Sequence, residues 1–173
     1  KQAQLNKIPQ MGDEIVTFNG RGFDIPLLEL MNYRYGFSAQ RHFKDKFAGR
    51  FRFGTKHIDL QDWLSNYNAI RMTGGLNLLA KLIGKPGKMN TKGDEVYSMH
   101  LQGKHQEISD YCIHDVLDTY FVFLRTRVML QELSLEKEQE IIENSKNFIQ
   151  KNIDRIPALK EYWENWGDWD PWP

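Results

Sequence analysis

Apolar and polar positions alternate between two periods along this chain, and the changes of period mark its elements. Glu14-Ile15-Val16-Thr17-Phe18-Asn19 is a short run of β-branched and aromatic residues, predicted as a mostly buried strand that Gly20 and Gly22 break. A helix is predicted next, capped by Asp24, with Pro26 tolerated in its first turn. Leu27, Leu28, Leu30 and Met31 supply its apolar face, and Gly36 ends it. His57-Ile58-Asp59-Leu60 reads as a second strand running into Gln61-Asp62-Trp63-Leu64. Gly74-Gly75 opens a helix with Leu76, Leu78, Leu79, Leu82 and Ile83 at helical spacing, closed by Gly84. A long central helix is expected from about Gln106 to Leu133, interrupted by Arg125 and Arg127, and a further one from Leu135 to Phe148. Alternating strands and helices argue for an α/β layer with helices packed on a sheet. Residues 1–14 are polar and aperiodic, consistent with a helix remnant and a turn around Pro9 and Gly12.

Two stretches depart from this pattern. Residues 37–57 interleave cations with aromatic rings, among them Arg41, Phe43, Arg50, Phe51, Arg52 and Phe53. Such a segment suits stacking on bases and gripping the phosphates of a single strand. It equally suits phenylalanines packed under a long loop with solvated cations. In residues 151–173, Trp163, Trp166, Trp169 and Trp172 recur every three residues among acids. That period fits polyproline II or a 3₁₀ turn better than an α-helix. An acidic aromatic tail either docks on a protein partner or straps down over the domain's own apolar surface. Self-packing is favoured, because four exposed tryptophans would be a liability. The expected organisation is therefore a main domain over 1–150 and this tail over 151–173.

Composition narrows the class. At 173 residues and 40% hydrophobic content the chain suits one ordinary globular domain, or most of one, with no membrane span or signal peptide. A single cysteine, Cys112, allows no intrachain disulfide and fits a reducing cytoplasm; it is expected to pack. The net charge of zero conceals an asymmetry. Residues 1–100 hold 15 Lys and Arg against 9 Asp and Glu, and residues 101–173 hold 8 against 14. A basic half can meet a polyanion while the acidic half faces away or carries metal-binding carboxylates.

Candidate chemistry gathers at two places. Asn19-x-x-x-Phe23-Asp24 sets a carboxylate where a strand ends and a helix begins, a position where α/β proteins assemble sites. Tyr111-x-x-x-Asp115, 91 positions after Asp24, sets a phenol and a carboxylate one turn apart on one helix face. Convergent carboxylates are what hard divalent cations want from a protein. Two such ions roughly 3.5–4 Å apart could activate a water and stabilise the leaving oxygen of a phosphodiester. His57 and Asp59 are expected to serve strand-end packing, and Asp110 and Asp118 to be solvated. The turn Gly84-Lys85-Pro86-Gly87-Lys88 lacks P-loop spacing and is expected to expose two lysines.

The residues Asn19-Gly20-Arg21-Gly22-Phe23-Asp24 resemble the second motif of the DEDDy 3′–5′ exonucleases, and Tyr111-x-x-x-Asp115 resembles the third. The wording is closer still to a bacterial branch, the predicted 3′–5′ exonucleases related to the exonuclease domain of family-B DNA polymerases. It extends from Ile15 to about Leu135, through VTFNGRGFDIPLLEL, HIDLQDWL, GGLNLLAKLIGKPGK, YCIHDVLDTYFVFLR and QELS. The resemblance implies a ribonuclease H-like α/β fold, a mixed sheet flanked by helices. It implies Asp24 and Asp115 as metal-ligand carboxylates for Mg²⁺ or Mn²⁺, with Tyr111 positioning the attacking water. Asn19 and Phe23 would line the pocket for the terminal nucleotide. The reaction would be hydrolysis of the 3′-terminal phosphodiester of single-stranded DNA, or of RNA, to nucleoside monophosphates, with DNA repair as one setting. A sister branch places histidine one position later in the third motif, a place that His114 does not occupy.

One departure matters. The family's first motif, Asp-x-Glu on the opening strand, occurs nowhere in the chain. The opening strands are thus expected to be missing, and a fragment of a complete enzyme is favoured, since losing them exposes a sheet edge. With Asp24 and Asp115 alone, two metals would be held poorly and activity would be weak. The alternative function is a non-catalytic module that binds single-stranded nucleic acid. A weaker one is an adaptor recruited through the tryptophan tail.

Overall fold

The computed structural model describes residues 14–45, 50–89 and 93–167, so the expected turn around Pro9 and Gly12, and Trp169 and Trp172, lie outside the described residues. The chain divides into two compact units, Lys1–Arg71 and Met72–Pro173.

In the first unit, β1 (Ile15–Thr17) pairs in parallel with β2 (His57–Asp59), with Ile15 opposite His57 and Thr17 opposite Asp59. Between them run α1 (Asp24–Tyr35) and a short α2 (Gln40–Lys44); α3 (Leu60–Leu64) follows β2 directly. A parallel pair needs a crossover, and α1 supplies the helical part of one. The C-terminus of α1 falls where expected: Gly36 takes a left-handed φ of 66° and its N–H closes on α1 carbonyls. Three expectations are corrected. Leu27, Leu28, Leu30 and Met31, expected as the apolar face of α1, are all exposed, and α1 has no buried residue. β1 is half-buried rather than mostly buried, having one partner strand among the described residues. Asp24 is the first residue of α1 rather than its cap; Phe23 occupies the cap position without a side-chain hydrogen bond.

The second unit is helical. It comprises α4 (Gly75–Leu82), α5 (Val96–Leu101), α6 (His105–Met129), α7 (Leu135–Asn152) and α8 (Pro157–Glu164). α6 is the axis on which α4, α5, α7 and α8 pack. Phe121, Val122 and Leu124 of α6 are buried, as are Ala80, Ile142, Ile149, Leu159 and Tyr162 of the surrounding helices, and the Phe121 and Tyr162 rings stack. The arginine at 125 does not interrupt α6. Arg125 Nε donates to both carboxylate oxygens of Glu138 at 2.8 and 3.0 Å, and Glu138 is 1% exposed. This charge-assisted pair joins α6 to α7.

The tail expectation splits. Trp163 lies in α-helix, not polyproline II, because Pro157 at the first turn and the apolar spacing Ala158, Leu159, Tyr162 fit an amphipathic helix. Self-packing holds for the described part: Tyr162 is fully buried, and Trp166 meets Phe121 and Tyr162 edge-on at 5.1 and 5.8 Å. Cys112, expected to pack, is exposed. A helix-rich chain with a small parallel sheet is compatible with an α/β fold.

Candidate active site

The loop from β1 into α1 is built around a buried acid. Asp59, 5% exposed, accepts the backbone N–H groups of Asn19 (2.9 Å) and Arg21 (2.8 Å) while capping α3 through Gln61 and Asp62. One carboxylate thus fixes the start of α3 and the turn that carries Asn19, Phe23 and Asp24. Asn19 is held at φ 63°, a left-handed geometry that asparagine tolerates better than most residues. A Cβ at Gly20 would collide with the side chain of Thr17, so glycine is required there. His57 packs beneath, its Nε2 2.7 Å from Thr17 Oγ1. Asn19, Phe23 and Asp24 are all exposed, and the Asp24 side chain makes no hydrogen bond or ion pair among the described residues.

The second set lies in the other unit, on α6. Tyr111 and Asp115 line an open cleft of about 230 Å³ with Glu107, Asp110 and His114 of the same helix, Lys88 of the α4–α5 connection and Glu161 of α8. The Tyr111 phenol and the Asp115 carboxylate are neighbours one helical turn apart, close enough to shift each other's pKa. Burial first, then the hydrogen bond to Asp115, pushes the phenol well above its usual range, so it keeps its proton and acts as a donor. Burial also raises the Asp115 carboxyl, opposed by the Tyr111 hydrogen bond and by the charges of Lys88 and His114. A cation against this carboxylate would offset the cost of ionising it there.

Beneath the cleft lies a layer that the sequence pattern assigned differently. Asp118, expected to be solvated, is 2% exposed and accepts the Tyr162 hydroxyl at 2.8 Å. Burial raises its carboxyl to about 6, against opposing hydrogen bonds from Tyr162 and the Gly87 backbone. His114 is buried beside it, with Nε2 2.8 Å from the Ala158 carbonyl oxygen. Lys85, expected to be exposed, is 5% exposed, with its ammonium 4.5 Å from the Trp166 ring centre. Asp110 is half-buried on the cleft wall and accepts from Gln106 at 2.8 Å. The signal that could have found these residues is the i, i+3, i+7 spacing of Tyr111, His114 and Asp118, which places all three on one side of α6. Lys85 carried no comparable signal.

Asp24 therefore belongs to one unit and Tyr111 and Asp115 to the other; the structure brings together Asn19, Phe23 and Asp24, and separately Tyr111 and Asp115. Among the described residues no three His, Cys, Asp or Glu side chains are grouped closely enough to hold a metal ion by themselves. The donor type nevertheless suits a hard cation, which takes one or two carboxylates and keeps several waters. No helix among the described residues is long and apolar enough to cross a membrane.

A family model matches residues 2–166, and its description is a predicted 3′-5′ exonuclease related to the exonuclease domain of PolB. No curated protein and no solved structure matches.

Proposed function

This chain belongs to the family of predicted 3′-5′ exonucleases related to the exonuclease domain of PolB, and from that premise we propose that it is a metal-dependent 3′–5′ exonuclease acting on single-stranded DNA. The observation that carries the proposal is the convergence of the Tyr111 phenol and the Asp115 carboxylate on one open, acid-rich cleft. The fold assigned with this reading is ribonuclease H-like, with the exonuclease domain over residues 1–150. Exonuclease domains generally use divalent metals, and Asp24 and Asp115 are assigned as the carboxylate ligands for Mg²⁺ or Mn²⁺. A bound divalent ion would supply charge stabilisation for the phosphodiester and a more acidic water.

The chain's own groups do the rest. Tyr111, locked in its protonated form, donates a hydrogen bond that orients the attacking water. Asp115 contributes anionic oxygen to the cleft. Lys88 is the cation that faces Asp115 and can meet a phosphate oxygen there. Exposed Phe23, beside Asn19, offers a ring for the terminal base.

The test is release of nucleoside monophosphates from a 3′-labelled single strand with Mg²⁺ or Mn²⁺, with and without chelator. Chelator-sensitive release that disappears in Asp115→Asn and in Asp24→Asn supports the proposal. Binding without release under either ion makes the chain a binding module instead. Faster release from RNA than from DNA changes the substrate.

A further inference from the structure

The first unit exposes an arrangement of rings and cations that the motif residues do not use. Phe53 is 82% exposed, and its ring centre lies 5.6 Å from that of Tyr67. The guanidinium of Arg52 sits 5.0 Å over the Tyr67 ring, held there by Nη2 donating to Asp62 at 3.2 Å. Arg50 covers the Phe43 ring at 5.0 Å and pairs with Glu29. Aromatic surface this exposed, with guanidiniums laid on it, is not arranged to stabilise the fold.

The backbone beneath argues the same way. Asn66, Tyr67 and Asn68 run consecutively through left-handed geometry, with φ of 49°, 56° and 67°. For Tyr67 that costs on the order of 1–2 kcal/mol. The run is held by Tyr67 N–H on the Asp62 carbonyl (2.6 Å), Ile70 N–H on the Ser65 carbonyl (3.1 Å) and Asn68 N–H on the buried Ser65 hydroxyl (2.9 Å). Strain that the surroundings enforce, spent on displaying an aromatic ring to solvent, is a mark of a working surface.

We propose that Phe53, Tyr67 and Arg52 form a base-stacking platform for single-stranded nucleic acid. The proposal deepens the nuclease reading and rests on it for the class of partner. Both ring faces and the guanidinium plane accept a base whatever its sequence, and the arginines at 50 and 52 suit the phosphates that connect stacked bases. A duplex keeps its bases paired and stacked on one another, so the platform selects unpaired strands.

The experiment measures fluorescence-anisotropy affinity of the full chain for a labelled oligo-dT, an abasic strand of equal length and a duplex, all in chelator so that nothing is cleaved. Phe53→Ala and Tyr67→Asn should each weaken oligo-dT binding by about five-fold or more. Phe53→Trp should preserve it. The abasic strand should bind wild type and Phe53→Ala alike. Asparagine is tolerated at left-handed φ, so Tyr67→Asn should keep or raise the melting temperature while losing affinity, which a merely structural role would not produce. Oligo-dT binding unchanged in both variants, or equal wild-type affinity for abasic and base-bearing strands, overturns the platform. If wild type releases no mononucleotides with either metal yet Phe53→Ala loses affinity, the nuclease reading falls and the platform stands.

Discussion

Tyr162 donates a 2.8 Å hydrogen bond to the carboxylate of Asp118, and both residues are almost wholly buried. They lie 44 positions apart, on α8 and α6. The bond ties the last described helix to the floor of the cleft whose upper wall carries Tyr111 and Asp115. Gly87, in the connection bearing Lys88, lies near enough to this carboxylate to oppose the rise in its pKa.

The first prediction concerns pH. Burial raises the Asp118 carboxyl from the ordinary 3.8 to about 6 in the fold. The folded chain thus binds this proton more tightly than the unfolded one. Its stabilising contribution is full below about pH 4 and is lost as pH rises through about 6. Asp118→Asn removes the titration. Measured in chelator, the melting temperature of the variant relative to wild type should rise by about 5 °C between pH 4 and 7. Parallel curves would show that the carboxylate is not penalised.

Catalysis should separate the two cleft residues. Tyr111→Phe keeps the ring and removes the donor, so it should lower mononucleotide release by on the order of 10²-fold while leaving strand binding unchanged. Asp115→Asn should cost on the order of 10³-fold and weaken the dependence on Mn²⁺ concentration. Equal losses in binding and turnover for Tyr111→Phe would argue that the phenol grips the strand rather than the water.

Asp59 should behave as a structural hub. Asp59→Ala leaves four backbone N–H groups without their acceptor and is expected to cost about 3 kcal/mol. Asp59→Asn, which keeps one oxygen, should cost less. Hydrogen exchange is the direct check: protection at the Asn19 and Arg21 amides should fall together with that at Gln61.

The buried Glu138 offers a sharper stability test. Arg125→Met strands a carboxylate that is 1% exposed, at about 3–5 kcal/mol. Adding Glu138→Leu should restore most of that loss in urea denaturation. A double variant as unstable as the single one would place the cost in packing instead.

Truncation after Lys160 tests the tail. It removes Tyr162 and Trp166 together, hence the partner of Asp118 and rings packed on Phe121. The second unit should lose cooperative unfolding. A truncated chain that melts like the full one would restore the view of the tail as a free docking peptide.

Local patterns carried much of this in advance. The strand before Gly20, the helix that Gly36 ends and the long helix bearing Tyr111 and Asp115 follow from turn chemistry and apolar spacing, which act within a few residues. The pairing of Tyr111 with Asp115 is likewise one helical turn, and it was legible because i, i+4 geometry needs no tertiary contact. The burial of Asp118 and Lys85, the α-helix at Trp163 and the exposure of Cys112 were not legible. Each depends on which face of an element meets another element distant in sequence: α8 covers Asp118, while Phe121 and Trp166 cover Lys85. Asp59 shows the same division. Its place beside a strand end could be read locally, but its hold on the Asn19–Arg21 turn required β1 and β2 to come together across about 40 residues. Sequence spacing alone determined which residues share an element and a face, while tertiary packing decided which of those faces water reaches.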